Sequence, residues 1–225
     1  MEELSLNPRR SMEPAPADPA AFDYALAIAK VTSLVFPFFG AGVTLVDLVT
    51  APSRGKRLAD WCEELRLRLN ELSQKVDGLT PEALAKDEAF ISAFAQATQL
   101  AVRTHQAEKL EALRNAVINT AISKAPADDL QSIFLNLVDS FTPAHLKLLS
   151  FFQAPDNTIR DGFRRQRDLS DQVICDLRDR GLLQDTRPYA ARNRDDSESL
   201  VYYDWEVTTI GKQFLDFIGA PKVRR

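Results

Sequence analysis

Apolar side chains recur every three or four residues between Ser53 and Gly78, and no other feature restricts the fold as strongly. Side chains at this spacing lie on one face of a helix, because an α-helix has 3.6 residues per turn. The stripe consists of Leu58, Trp61, Cys62, Leu65, Leu69, Leu72 and Val76. It predicts a long amphipathic helix that begins after a Ser53 cap, ends near Gly78 and packs its apolar face into a core. A coiled-coil dimer is the alternative, although the stripe is shorter than three heptads.

The composition agrees with a mainly helical, globular protein. Glycine accounts for 8 of the 225 residues and apolar residues for 45%, which favours helices around a hydrophobic core over disorder. The net charge of −4 provides no overall attraction to polyanions such as DNA. Because Cys62 and Cys175 lie far apart in helical segments, a disulfide framework is not expected, and we predict a cytoplasmic protein.

The N-terminal part is predicted to contain a disordered tail and an apolar helical hairpin. Residues 1–17 are polar and rich in proline, and they lack the apolar core of a signal peptide. Between Val31 and Val46 there is no charged residue, and Pro37 interrupts the helical pattern. A membrane span needs about 20 apolar residues in one element, so burial is favoured, and contact with a membrane or a second copy is the alternative. The residues that would make such a contact are Val35, Phe36, Phe38 and Phe39.

Cap-and-proline signals predict a bundle of further helices. Thr80-Pro81 starts a helix, because threonine accepts from N–H groups of the first turn and proline lacks an N–H that would need a partner there. Residues 89–122 favour a helix nearly throughout, with a joint near Thr104. The chain is therefore predicted to divide into a disordered tail (1–17), a helical bundle (18–124), a linker (125–129), a second domain (130–219) and a basic tail (220–225).

The second domain is predicted to contain helices, a two-stranded hairpin and a last helix. A strand begins at Leu182, and Leu200–Val207 returns after a polar turn. The last helix is expected to bury Ile210, Phe214 and either Phe217 or Ile218 on one side. The predicted helix caps are Asp128 or Asp129, Thr142, Ser170, and Thr208 or Thr209.

This order of elements resembles a winged-helix domain. The resemblance is carried by the RGLL sequence at Arg180–Leu183 and the TTIG sequence at Thr208–Gly211, followed by Phe214 and Leu215. In winged-helix proteins, the helix before the first of these sequences enters the major groove of DNA, and the hairpin forms the wing. The chain departs from the pattern at residues 156–168, where a polar segment stands in place of the motif's second helix. The predicted fold class is therefore mainly α, with an N-terminal helical bundle and a small C-terminal winged-helix-like α+β domain.

The net charge of this domain argues against DNA binding, whereas one cluster of arginines favours it. From Ala127 onward the chain has 14 basic and 16 acidic residues, a net charge of −2, and phosphate contacts require a basic surface. The predicted recognition helix also carries Asp171, Asp176 and Asp179. The arginines that would contact nucleic acid are Arg160, Arg164, Arg165, Arg167, Arg192 and Arg194. A winged helix used for protein contact or dimerisation is therefore favoured over DNA binding.

The sequence contains no recognisable reactive centre. The two histidines, His105 and His145, and the two cysteines lack the spacing of a zinc site. Neither a glycine-rich phosphate loop nor a nucleophile elbow is present. His105 is expected to pair with Glu108 on the surface, and His145 lies beside the apolar face of its helix, which indicates a structural role. We therefore predict a protein without enzymatic activity, cofactor or metal.

Three sequences extend the comparison beyond the C-terminal domain. They are FPFFGAG (36–42), EKLEALRNAVINTA (108–121), and a tail that joins LLQDT (182–186) to TTIGKQFL (208–215). Together they resemble bacterial proteins of the abortive-infection alpha type, which are associated with phage defence. The resemblance implies a non-enzymatic interaction protein that works through oligomerisation or a protein partner, for example in growth arrest. The alternatives are a DNA-binding regulator and a membrane-acting effector that uses the hairpin of residues 31–46.

Overall fold

The fold is mainly helical, with a small two-stranded sheet near the C-terminus. A computed structural model describes residues 52–155, 161–163, 165–186 and 205–222. The predicted N-terminal tail, the apolar hairpin and the tip of the predicted wing lie outside the described residues. At the level of a mainly helical chain with a small sheet, the predicted fold class is confirmed.

Helices and strands follow one another in a simple order along the described chain. The helices are α1 (Pro52–Ser73), α2 (Pro81–Leu84), α3 (Glu88–Arg103), α4 (Ala107–Ala121), α5 (Asp128–Ser140), α6 (Pro143–Gln153), α7 (Arg167–Asp179) and α8 (Thr209–Ile218). The strands are β1 (Leu183–Asp185) and β2 (Trp205–Val207), which lie between α7 and α8. No helix in these described segments is long and apolar enough to cross a membrane.

The predicted apolar stripe is the buried face of α1. Its leucines, Trp61 and Cys62 are all buried, and Val76 is partly buried in the turn that follows. The helix already includes Pro52, so the prediction that Ser53 caps it was wrong. Proline is well tolerated in the first turn of a helix, because its missing N–H would have no helical partner there. At the other end, the chain leaves the helix at Ser73, and Gly78 adopts a φ of +80° in the connection to α2.

The predicted joint in the long helical region is confirmed. α3 ends at Arg103, α4 begins at Ala107, and Thr104 between them has extended backbone angles. The cap of α3 was not predicted: the Asp87 carboxylate accepts from the backbone N–H groups of Ala89 and Phe90. These two hydrogen bonds satisfy two of the backbone N–H groups that a helix leaves without a partner in its first turn.

Two predicted caps of the second domain were wrong. Ala127 occupies the N-cap of α5, so Asp128 and Asp129 lie in the first turn, where a negative charge also faces the positive end of the helix dipole. α7 begins at Arg167, one turn earlier than expected, so Ser170 is an internal residue. The buried Ser170 hydroxyl donates to the carbonyls of Phe163 and Gln166, which compensates for its burial.

The two strands form an antiparallel pair, as the sequence indicated. Leu183 lies opposite Val207, and Asp185 lies opposite Trp205. Gly181, at a φ of +73°, ends α7 and turns the chain toward β1. The Thr208 hydroxyl donates to the Gly181 carbonyl at 2.6 Å and accepts from the Gly211 N–H at 3.0 Å, so one side chain fixes both the hairpin base and the start of α8.

The buried face of the last helix matches the prediction except at Ile210. Phe214, Phe217 and Ile218 are buried, but Ile210 is exposed, so the prediction for Ile210 was wrong. Helical spacing places Ile210 on the same side as Phe214 and Phe217, but its side chain, in the first turn of α8, is 47% exposed.

Helices on both sides of the predicted linker share one hydrophobic core. α8 packs against α4, and α5 packs against α3 and α4. Phe134 of α5 meets Phe214 edge-on, with ring centroids 5.3 Å apart, and lies 5.9 Å from Phe217. The two predicted units therefore pack against each other.

Candidate functional site

The outer face of α7 is the surface that a winged-helix protein would present to DNA. Val173, Ile174 and Leu177 face inward and are buried, and the helix packs against α6. On the outside, Leu169 is 46% exposed, which is unusual for a large apolar side chain among the described residues. This outer face is therefore the first candidate for contact with a partner.

Both arginines of α7 are paired with an aspartate of the same helix. Arg167 Nε lies 3.5 Å from a carboxylate oxygen of Asp171, one turn along. Arg178 donates two hydrogen bonds to the neighbouring Asp179, at 2.9 and 2.8 Å. Between residues 165 and 180 there are four arginines and four aspartates, so the net charge of this segment is zero. The surface therefore lacks the excess of positive charge that phosphate contacts need.

The predicted nucleic-acid contacts are described only in part. Arg167 is exposed in the first turn of α7, and Arg165 is exposed two residues before the helix begins. The remaining predicted contacts lie outside the described residues: Arg160, Arg164, Arg192 and Arg194 for nucleic acid, and Val35, Phe36, Phe38 and Phe39 for a membrane or a second copy.

A buried histidine joins the corner between α5 and α6 to α7. Thr142 is the N-cap of α6, and His145 occupies the third helical position and completes a capping box. His145 Nδ1 accepts from the Thr142 backbone N–H at 3.2 Å, and the Thr142 hydroxyl lies 2.9 Å from the same nitrogen. On the other side of the ring, Nε2 lies 3.3 Å from a carboxylate oxygen of Asp176 in α7. The ring therefore has a polar partner at each nitrogen.

These partners determine which ring nitrogen carries the proton. The Asp176 carboxylate can only accept, so it requires an N–H at His145 Nε2. The Thr142 backbone N–H can only donate, so it requires a lone pair at Nδ1. Both requirements are met by the neutral ring with its proton on Nε2. The charged ring would present a second N–H to the Thr142 N–H.

Aromatic and cationic groups surround this ring. The Phe141 ring stacks on the His145 ring, with centroids 4.7 Å apart and planes 7° from parallel. The Arg180 guanidinium lies 5.4 Å above the Phe141 ring. From α4, the buried Lys109 extends its ammonium group to the Asp139 carbonyl at 2.6 Å. The corner thus brings together groups from α4, α5, α6 and α7.

Burial lowers the pKa of His145 below its ordinary value. Loss of solvent around the ring is the largest cause, and the nearby cations Arg180 and Lys109 act in the same direction. The hydrogen bond and the negative charge of Asp176 oppose the shift but do not reverse it. The pKa of Lys109 is also lowered, again mainly because the ammonium group is desolvated.

Two asparagines of α4 receive the C-terminal end of α8, and sequence reasoning missed them. Asn115 Nδ2 donates to the Ile218 carbonyl at 3.0 Å. Asn119 Nδ2 lies 2.8 Å from the Phe217 carbonyl and 3.0 Å from the Gly219 carbonyl. A signal was present, because asparagine is unfavourable inside a helix and two of them recur four residues apart among buried apolar positions. We name Asn115 and Asn119 the asparagine clamp.

The other candidate chemical groups lie apart from one another. His105 is exposed, and Glu108 forms its ion pair with Lys147, at 2.7 Å. Cys62 is buried, and burial raises the pKa of its thiol to about 12, whereas Cys175 is partly exposed. Within the described segments, no three His, Cys, Asp or Glu side chains come close enough to hold a metal ion.

Comparison with family models, with curated proteins and with solved structures finds no match for this chain. The winged-helix and abortive-infection resemblances therefore rest on the residues that carry them and remain predictions.

Proposed function

We propose that this protein is a non-enzymatic interaction protein that binds a protein partner, or a second copy of itself, through the outer face of α7. Its C-terminal part is a winged-helix-like unit used for protein contact. A role in phage defence is the setting that the abortive-infection resemblance implies. The observation that carries the proposal is the charge balance of residues 165–180, where four arginines stand against four aspartates and both arginines of α7, Arg167 and Arg178, are paired with an aspartate.

Charge pairing of this kind favours a protein partner over a nucleic acid. Binding to DNA draws much of its affinity from cations that replace the counterions of phosphate groups. In α7 the guanidinium groups of Arg167 and Arg178 already have carboxylate partners, Asp171 and Asp179. An exposed apolar side chain such as Leu169 gains free energy when a partner removes it from water. At about 3.6 residues per turn, Leu169 lies on the opposite flank of α7 from Arg167, Asp171 and Arg178. The outside of the helix therefore offers an apolar residue on one flank and paired charges on the other, a mixture compatible with a protein interface.

The proposal is tested with a pair of leucine variants. Leu169→Asp places a charge at the exposed apolar residue of the proposed surface. Leu67→Asp places the same charge on α1 at a residue with nearly equal exposure, 48% against 46%. Light scattering and pull-down from the host should show that Leu169→Asp loses the oligomer or partner and that Leu67→Asp retains it. Loss in both variants, or in neither, would contradict the proposed surface.

DNA binding is the second candidate, because Arg165 and Arg167 are both exposed where α7 begins. In this case the protein should retard duplex DNA in a gel at low salt, with an affinity that falls steeply as salt is added. The variant with Arg164→Glu and Arg165→Glu should abolish the shift, while Leu169→Asp should have a smaller effect. This pattern would favour the regulator over the interaction protein.

A further inference from the structure

His145 has a position that the proposed function does not use. Its ring connects the first turn of α6 to α7 and is buried. The capping box normally pairs a threonine or serine cap with a glutamate or glutamine three residues later. Here a histidine occupies that position, and histidine is the side chain whose charge ordinarily changes between pH 5 and 8.

We propose that His145 is an acid-sensitive switch at the corner between α5 and α6. In the neutral state the ring accepts from the Thr142 backbone N–H and donates to Asp176, so it holds the start of α6 and α7 together. In the protonated state Nδ1 carries a hydrogen and can no longer accept. The Thr142 backbone N–H then loses its acceptor, and the ring keeps its ion pair with Asp176 alone.

The neighbouring groups determine how each state is held. Protonation gives His145 a charge that attracts Asp176, whose other carboxylate oxygen accepts from Gln172 at 2.9 Å. The same charge is repelled by Arg180 at the end of α7 and by Lys109 of α4. The Thr142 hydroxyl can reverse its role and accept from the new N–H, because it lies 2.9 Å from Nδ1. The Thr142 backbone N–H can only donate, so it is left without an acceptor when Nδ1 is protonated. Its exchange with solvent therefore measures the protonation of His145.

The direction of the pH dependence follows from the lowered pKa of His145. Because the pKa in the folded state lies below that of the unfolded chain, the unfolded chain binds the proton more tightly. The stability that the neutral ring contributes is therefore complete above the unfolded pKa of about 6.5. It is lost as the pH falls from there through the folded pKa. Acid should thus loosen the first turn of α6 before it unfolds the whole protein.

The test is an NMR titration that follows both the imidazole and the cap. The chain has two histidines, so the variant His105→Gln leaves His145 as the single imidazole signal. We expect this signal to titrate below pH 6.5, with protection of the Thr142 N–H against exchange falling by up to about tenfold for each pH unit as the pH drops from 6.5 to the pKa of His145, and levelling off below it. Exchange rates are corrected for their intrinsic pH dependence. A signal that titrates at or above pH 6.5, or a protected Thr142 N–H in the charged state, would overturn the proposal.

Two variants separate the switch from general acid sensitivity. Glutamine at this position can complete a capping box but cannot be protonated. In His145→Gln, the protection of the Thr142 N–H against exchange should therefore change by less than about tenfold between pH 5 and pH 7. If this variant loses protection with falling pH as the native chain does, the proposal is wrong. Asp176→Asn removes the negative charge at Nε2, so it should shift both the imidazole titration and the loss of Thr142 protection to lower pH. An unshifted titration would also contradict the proposal, whatever the effect of the glutamine variant on folding.

Discussion

Replacing Asn119 with alanine should destabilise the protein by about 2–4 kcal/mol. The side-chain nitrogen lies 3.2, 2.8 and 3.0 Å from the carbonyl oxygens of Asp216, Phe217 and Gly219. An amide nitrogen carries two hydrogens, so it can make two full hydrogen bonds to these three acceptors. Each bond contributes about 1 kcal/mol, and the carbonyls that lose their donor at the end of α8 add a penalty of similar size.

The assay is unfolding by urea and by heat, followed at one tryptophan in each part of the chain. Trp61 lies in α1 and Trp205 in β2, so Trp61→Phe and Trp205→Phe each leave one fluorescent reporter. In the otherwise native protein both reporters should give the same midpoint, because the parts share a core. Asn119→Ala should lower the melting temperature by roughly 4–16 °C, at 2–4 °C for each kcal/mol in a chain of this size.

The matched control is Asn70→Ala, since Asn70 is exposed on α1. This change should alter stability by less than about 0.5 kcal/mol, as is usual for exposed positions. If Asn119→Ala is equally neutral, the bonds to α8 do not hold the two parts together. Separate midpoints for the two tryptophans before any change to the clamp would refute the same reasoning.

Three further predictions concern packing and reactivity. Gly211→Ala should destabilise the protein by about 1–3 kcal/mol in thermal unfolding, because an added Cβ would collide with the Leu182 carbonyl just before β1. The control Gly162→Ala, where nothing lies within 4 Å of an added Cβ, should be neutral or stabilising, and equal losses of stability in both variants would contradict this view. Phe134→Ala should cost about 3–5 kcal/mol in urea unfolding, because the ring is fully buried; a loss below 1 kcal/mol would be inconsistent with the shared core. A thiol reagent should modify Cys175 in the native protein and reach Cys62 only on unfolding, because Cys62 is buried and its pKa is raised to about 12; rapid reaction at both would show that α1 is not packed as described.

Local patterns accounted for the helices and for several of their ends. The Thr80 and Thr208 side chains accept from backbone N–H groups in the first turn of the helix that follows each, and Thr142 begins α6 before a proline, as predicted. The stripe along α1 is buried, and the strands pair in antiparallel fashion. These features depend on residues within one or two turns of each other, so a single sequence contains the information that they require.

Local sequence patterns predicted the candidate site only in part. The arginines and aspartates of α7 were recognised as a conflict of charge, but their pairing depends on side-chain geometry within the folded helix. His145 was expected to be structural, and its link to Asp176 joins residues 31 positions apart. The start of α7 at Arg167 could not be inferred from Ser170, because that serine bonds to carbonyls in a preceding turn.

The sequence by itself determined which segments are helical and which of their faces are apolar, because helix periodicity and caps are local properties of the chain. Only the tertiary structure decided that α4 receives the end of α8, since the asparagine clamp joins residues about a hundred positions apart. The physical reason is that a buried amide in a helix is unfavourable until a distant carbonyl pairs with it. That partner exists only when the two parts of the chain have packed together.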